Sequence, residues 1–96
     1  MIEHFKPMPH FKRDVKALSK KHLPIQNIQR AVHYIIVEDY NTLIKSYDDH
    51  ALSGNLRGYR DLHVKGFKDL VLLYKVVKSR SLLKLTRVGS HDQLFK

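Results

Sequence analysis

Cysteine is absent from the 96 residues. That absence removes disulfides, thiolate nucleophiles and the usual structural zinc sites together, so stability has to come from packing. Long apolar runs are missing too. Nothing approaches the ~20 consecutive apolar residues that a membrane-spanning helix needs, and Met1 to Pro9 lacks the apolar stretch of a signal peptide. A cytoplasmic protein without membrane contact is expected. Clustered metal ligands are also lacking: no His-x-x-x-His pair and no carboxylate pair shares a helix face, and Asp48-Asp49-His50 alone specifies nothing. Neither a metal nor a cofactor is expected. There is no internal repeat and no low-complexity segment. A chain this short has room for one packed core, a single domain over residues 1–96.

Acidic side chains are scarce. Nine stand against 18 lysines and arginines, giving a formal charge of +9 and a pI near 9.9. Residues 1–47 carry 8 basic and 4 acidic groups and residues 48–96 carry 10 and 5, so the charge belongs to the folded domain and not to a detachable tail. A polyanionic partner suits such a surface, nucleic acid first. With 43% hydrophobic residues the chain still reads as globular.

Periodicity divides the chain in two. Ile2, Phe5 and Met8 alternate loosely between Met1 and Met8 and suggest a short edge strand. From His10 to His22, Phe11, Val15, Leu18 and His22 recur at helical spacing, with Pro9 suited to the first turn and Leu23-Pro24 ending the run. A second helix is predicted from Pro24 to about Tyr47, with Ile25, Ile28, Val32, Ile35, Ile36 and Leu43 as its stripe. Beyond Asp48 the texture turns to β. Strands are predicted over Tyr59–Val64, Asp69–Val77 and Leu82–Val88, joined by Lys65–Lys68 and Lys78–Ser81. The run Leu70–Tyr74 is apolar at consecutive positions, as in a central strand covered on both faces. A helix pair covers one face; the segment Asp48–Leu56 and the tail Gly89–Phe95 are expected to close the other and form a cleft.

Seven histidines is a high count, and His50, His63 and His91 lie in the β half. Metal-free cutting of RNA needs a base for the 2′-hydroxyl, cations for the phosphate and an acid for the leaving 5′-oxygen. His50, His63, Asp69 and His91 are candidate proton carriers. Arg57, Arg60 and Arg87 are candidate phosphate clamps, and Phe67 or Phe95 candidate surfaces for stacking a base. Blander roles compete: a capping or solvated His50, a His63 on the less apolar strand face, a turn His91, a core Phe95. Arg87 shares the parity of Leu83 and Leu85, which places it at a bulge before Gly89 or in a cleft. His4, His10, His22 and His33 read as surface residues.

Three blocks carry a resemblance. They are Asp-His-Ala-Leu-Ser-Gly-Asn-Leu-Arg-Gly-Tyr-Arg-Asp-Leu-His-Val (49–64), Leu-Leu-Tyr-Lys (72–75) and Leu-Thr-Arg-Val-Gly-Ser-His-Asp-Gln-Leu-Phe (85–95). In this order and spacing the chain is similar to the YafQ-like branch of the RelE/ParE toxin superfamily. The likeness implies an α+β chain in the order β-α-α-β-β-β, with two helices on one side of a twisted, mainly antiparallel sheet and the active site on the other. It also implies a type II toxin that cuts messenger RNA on the ribosome without a metal and is neutralised by a cognate, acidic antitoxin. His50, His63, Asp69, Arg87, His91 and Phe95 fall on the family's functional positions, with His50 or His63 as base, Arg87 as clamp and His91 as acid. One departure stands out: Lys65-Gly66-Phe67-Lys68 is about two residues longer than usual, and Leu70 replaces the aromatic that commonly follows the aspartate. The alternative within the superfamily is a ParE-like inhibitor of DNA gyrase, which needs no proton-transfer pair. A non-catalytic nucleic-acid-binding module would leave the histidines idle.

Overall fold

Helical spacing in the first half and alternation in the second produce, in the computed structural model described over residues 1–95, four helices and five strands. The order is β1 (His4–Pro7), α1 (Pro9–Lys20), α2 (Ile25–Ile36), α3 (Tyr40–Tyr47), β2 (His50–Ala51), β3 (Arg60–His63), β4 (Val71–Val77), β5 (Leu82–Gly89) and α4 (His91–Phe95). The strands form one sheet in the order β1-β5-β4-β3-β2. β1 runs parallel to β5 and the remaining neighbours are antiparallel. This is the expected α+β architecture with two additions, the edge strand β2 and the terminal helix α4. No helix among the described residues is long and apolar enough to cross a membrane.

The single helix expected from Pro24 to Tyr47 is two. Glu38 adopts a left-handed φ of 58°, so that its N–H reaches Ile35 O and the N–H of Asp39 reaches Tyr34 O. Those two bonds close a helix end, usually around a glycine. Asp39 then opens α3, accepting from the Thr42 N–H at 3.2 Å and from the Thr42 hydroxyl at 2.8 Å. α1 ends the same way: His22, at φ 60°, donates to Ser19 O while Leu23 donates to Leu18 O.

The core lies between the helices and one face of the sheet, where Phe11, Ile28, Ala31, Ile35, Leu43 and Tyr47 meet Leu62, Leu72, Tyr74, Leu83, Leu85 and Val88. Val71 and Leu73, on the opposite face of β4, are buried as well, so the central strand is covered on both sides as predicted. The tail contributes to that cover. α4 folds over Gly89, where a Cβ would come within 2.6 Å of Gln93 Oε1 and 2.9 Å of Leu94 Cδ1. The segment after Asp48 behaves differently from expectation, because His50–Ala51 pairs with β3 and extends the sheet edge.

A bulge sets the parity of β5. Leu73 pairs with Arg87 and Tyr74 with Leu85, so Thr86 is the extra residue and the pleat reverses across it. Val88 therefore returns to the core, and Arg87 leaves the face that Leu83 and Leu85 occupy.

Candidate active site

Paired residues on adjacent strands share a face, and the register assembles two rows on the sheet surface away from the helices. One runs His50–Asp61–Leu73–Arg87 across β2, β3, β4 and β5; the next runs His63–Val71–Gly89. Strand alternation carries Asp61 and His63 to the same side, and edge pairing brings His50 beside Asp61. Their side chains are unequal in exposure: 49% for His50, 39% for His63 and 4% for Asp61.

His91 reaches the same surface from α4. Ser90 caps this short helix, its Oγ accepting from the Gln93 N–H at 3.2 Å while Gln93 Oε1 accepts from the Ser90 N–H at 3.0 Å. This reciprocal capping box fixes where the first turn points. Asp69, just before β4, takes hold of that turn: its Oδ1 lies 2.6 Å from His91 Nδ1 and 3.3 Å from the His91 backbone N–H. The His91 hydrogen bond holds the Asp69 carboxyl below its ordinary range. Nδ1 of His91 is engaged by Asp69 while about half of its side chain stays exposed, 48%. The His63 and His91 rings stand 5.2 Å apart, and the Phe95 ring lies 6.0 Å from His91.

His50 has an oxygen near each ring nitrogen. Nδ1 is 2.9 Å from the carbonyl oxygen of Asp48, and Nε2 is 3.0 Å from Asp61 Oδ1. The carboxylate of Asp48, itself exposed, lies 3.5 Å from His63 Nε2. Burial pushes the Asp61 carboxyl up, against the pull of His50, His63 and His91.

Other expected site residues are tied up or placed apart. Arg87 Nε and Nη2 bind the two oxygens of Asp14 on α1, at 2.9 and 3.2 Å, and Asp14 also accepts from the Val88 N–H at 3.0 Å. Its guanidinium thus pins α1 to β5, with Nη1 left toward Gln93 O at 3.5 Å. Arg60 is on the helix side of the sheet, its Nε 2.6 Å from the buried Asp49, which also accepts from the Tyr74 hydroxyl. Burial raises the Tyr74 hydroxyl far above its ordinary value, and the bond to Asp49 adds to the shift. Arg57 is exposed beyond the 3₁₀ turn Gly54–Leu56. Phe67 packs against the core, so Phe95 is the ring beside the histidines. The longer loop is anchored instead of loose: Asn27 Nδ2 donates to Lys65 O at 3.0 Å, directly against Gly66. Asp69 is thereby delivered to His91 despite the extra residues. Among the described residues, no group of three or more histidines and carboxylates is arranged to hold a metal ion.

Fold and surface together define a small basic α+β domain with helices on one face of a mixed sheet and a histidine-lined shelf on the other. The family model for the bacterial toxin of type II toxin-antitoxin systems, YafQ, matches residues 3–96. The chain is 33% identical over 85 residues to the mRNA interferase toxin YafQ of Escherichia coli K12, covering 88% of this chain and 87% of that one. A crystal structure of a metal-bound toxin from Helicobacter pylori superposes with a TM-score of 0.85 at 33% identity, over 99% of this chain and 100% of the other. The E. coli DinJ-YafQ toxin-antitoxin complex contains a chain that superposes at 0.82 with 29% identity over 100% of both. The chain belongs to the YafQ toxin family.

Proposed function

We propose that this chain is a ribosome-dependent mRNA endoribonuclease that cleaves without a metal, acts in the cytoplasm and is held inactive by a cognate acidic antitoxin. One observation carries the reading: the rings of His63 and His91 stand 5.2 Å apart on one surface, with His91 held through Nδ1 by Asp69. In this scheme a histidine base, His50 or His63, takes the proton of the 2′-hydroxyl. The 2′-oxygen attacks phosphorus, the bond to the 5′-oxygen breaks, and His91 delivers the proton that the leaving oxygen needs. The products are a 2′,3′-cyclic phosphate and a 5′-hydroxyl end.

The surroundings support a polyanionic substrate. Lys6, Lys84 and Lys75 pair in register across β1, β5 and β4 and form a basic row beside the histidine rows, with Lys75 Nζ 5.3 Å from the Tyr59 ring centroid. Phe95 offers a ring for stacking a base, and Arg57 an exposed cation. The name of the E. coli relative supports the substrate, and the toxin-antitoxin complex supports the partner. Inducing the chain in cells and mapping new 5′-hydroxyl ends tests the proposal. Ends within translated messages are expected; DNA damage without them would point to a gyrase poison.

A further inference from the structure

The shelf has an underside. Arg60 and Tyr74 pair across β3 and β4 on the helix face of the sheet, and neither enters the scheme above. Both converge on Asp49, which is 6% exposed: Arg60 Nε donates to its Oδ1 at 2.6 Å and the Tyr74 hydroxyl donates to its Oδ2. Each carboxylate oxygen thus has its own donor, supplied by a different strand. Burial holds the Tyr74 hydroxyl in its protonated form, so that bond persists wherever the protein is folded near neutral pH. An ion pair placed under a sheet adds little net stability over apolar packing of the same volume, because desolvation offsets the attraction. What it adds is direction, since two donors fix the plane of the carboxylate and with it the backbone that carries it.

Asp49 stands directly before His50, and the pleat sends the two to opposite faces. The segment they share has few other ties. β2 is two residues long at the sheet edge, and it is reached from α3 through Asp48 at a left-handed φ of 51°, with the Asp49 N–H on Leu43 O at 3.1 Å. Asp48 in turn sets its carbonyl oxygen 2.9 Å from His50 Nδ1 and its carboxylate 3.5 Å from His63 Nε2. Holding Asp49 from below therefore holds the residues on either side of it. We propose that Asp49, Arg60 and Tyr74 are positioning residues, a charged anchor beneath the sheet that sets where His50 and the Asp48 carboxylate stand on the shelf. The effect on cleavage rests on the nuclease reading; the effect on the imidazole rings does not.

Two variants test the anchor. Tyr74→Phe keeps the ring in the core and removes one donor; Arg60→Lys, at a side chain 37% exposed, keeps the charge and removes the Nε contact. Nitrogen-15 NMR of the imidazole rings in the purified full chain needs no activity. Both variants are expected to shift the His50 ring signals and to leave those of His10 on α1 in place. Cleavage on programmed ribosomes should show kcat lowered toward the ~10²-fold that a misplacement of about 1 Å can cost, with KM unchanged. Ile28→Val, a truncation in the core on α2, is the control for stability: it lowers the urea midpoint and should leave the His50 signals and kcat at parental values. Parental His50 signals in the folded variants, or a loss of kcat that Ile28→Val reproduces at an equal midpoint, overturn the anchor and leave the three residues as a structural contact. If Tyr74→Phe fails to fold, Arg60→Lys decides alone. A parent that leaves ribosome-bound message intact defeats the nuclease reading instead, and the ring signals still decide the anchor.

Discussion

Arg87 pins α1 to β5 through Asp14, and we propose that the rest of its guanidinium contacts the phosphate in the reaction. Two of its nitrogens are spent on Asp14, whose side chain is 13% exposed. Replacing Arg87 by Ala leaves that carboxylate with the Val88 N–H and is expected to cost about 1–3 kcal/mol of stability, the range for hydrogen bonds to charged groups, as well as activity. Arg87→Lys should be nearly as damaging, because lysine keeps the charge and loses the planar fork. Urea unfolding run beside single-turnover cleavage checks both; a parental midpoint for Arg87→Ala would show that the pair with Asp14 is not structural. At this scale the sequence was partly legible. His50, His63, Asp69, His91 and Phe95 do converge. Arg60 could not join them, since it neighbours Asp61 on β3 and the pleat sends adjacent residues to opposite faces. Asp14 and Asp61 went unread because a carboxylate without a motif announces nothing, although the parity Asp61 shares with His63 was there to follow.

Elements were legible where glycine, proline or alternation punctuates the chain. The α2–α3 break was not. Its left-handed residue is Glu38, and the one hint is Asp39 standing where the stripe between Ile36 and Leu43 wants an apolar residue. α1 ends on a similarly unsuited residue, so His22→Gly is expected to stabilise the fold by about 1 kcal/mol, the scale of the left-handed penalty for a residue with a Cβ. Thermal unfolding measures it, and a lower midpoint would contradict the capping geometry. α4 was hidden for lack of length, yet Ser90 and Gln93 are a capping-box signature in plain view. Its seat tests whether the helix positions His91. Gly89→Ala introduces a Cβ that must push aside Gln93 Oε1 and Leu94 Cδ1, so cleavage should fall although Gly89 bears no reactive group. In the same variant the coupling between His91 and Asp69 should weaken, visible as a change in the His91 ring signals. Unchanged signals and rate would mean that α4 does not depend on this contact.

At the scale of the whole molecule, charge decides the encounters. The chain carries +9, and an acidic antitoxin segment should be captured quickly through that field. Such steering is screened over about 8 Å at physiological ionic strength, so raising salt should slow association while dissociation, set by buried apolar contacts, changes little. Stopped-flow mixing across a salt series reads this; a flat association rate would place the antitoxin on apolar surface alone. The central claim is that a metal-free histidine pair does the cutting. Its most direct test is single-turnover cleavage of ribosome-bound message in the presence of a chelator that leaves the ribosomes intact, comparing the parent with folded His91→Ala. The account predicts 5′-hydroxyl products at an unchanged rate for the parent, and a loss of about 10²- to 10⁴-fold for the variant, the usual contribution of a general acid. Parental cleavage by His91→Ala, or a parent silenced by the chelator, would contradict it.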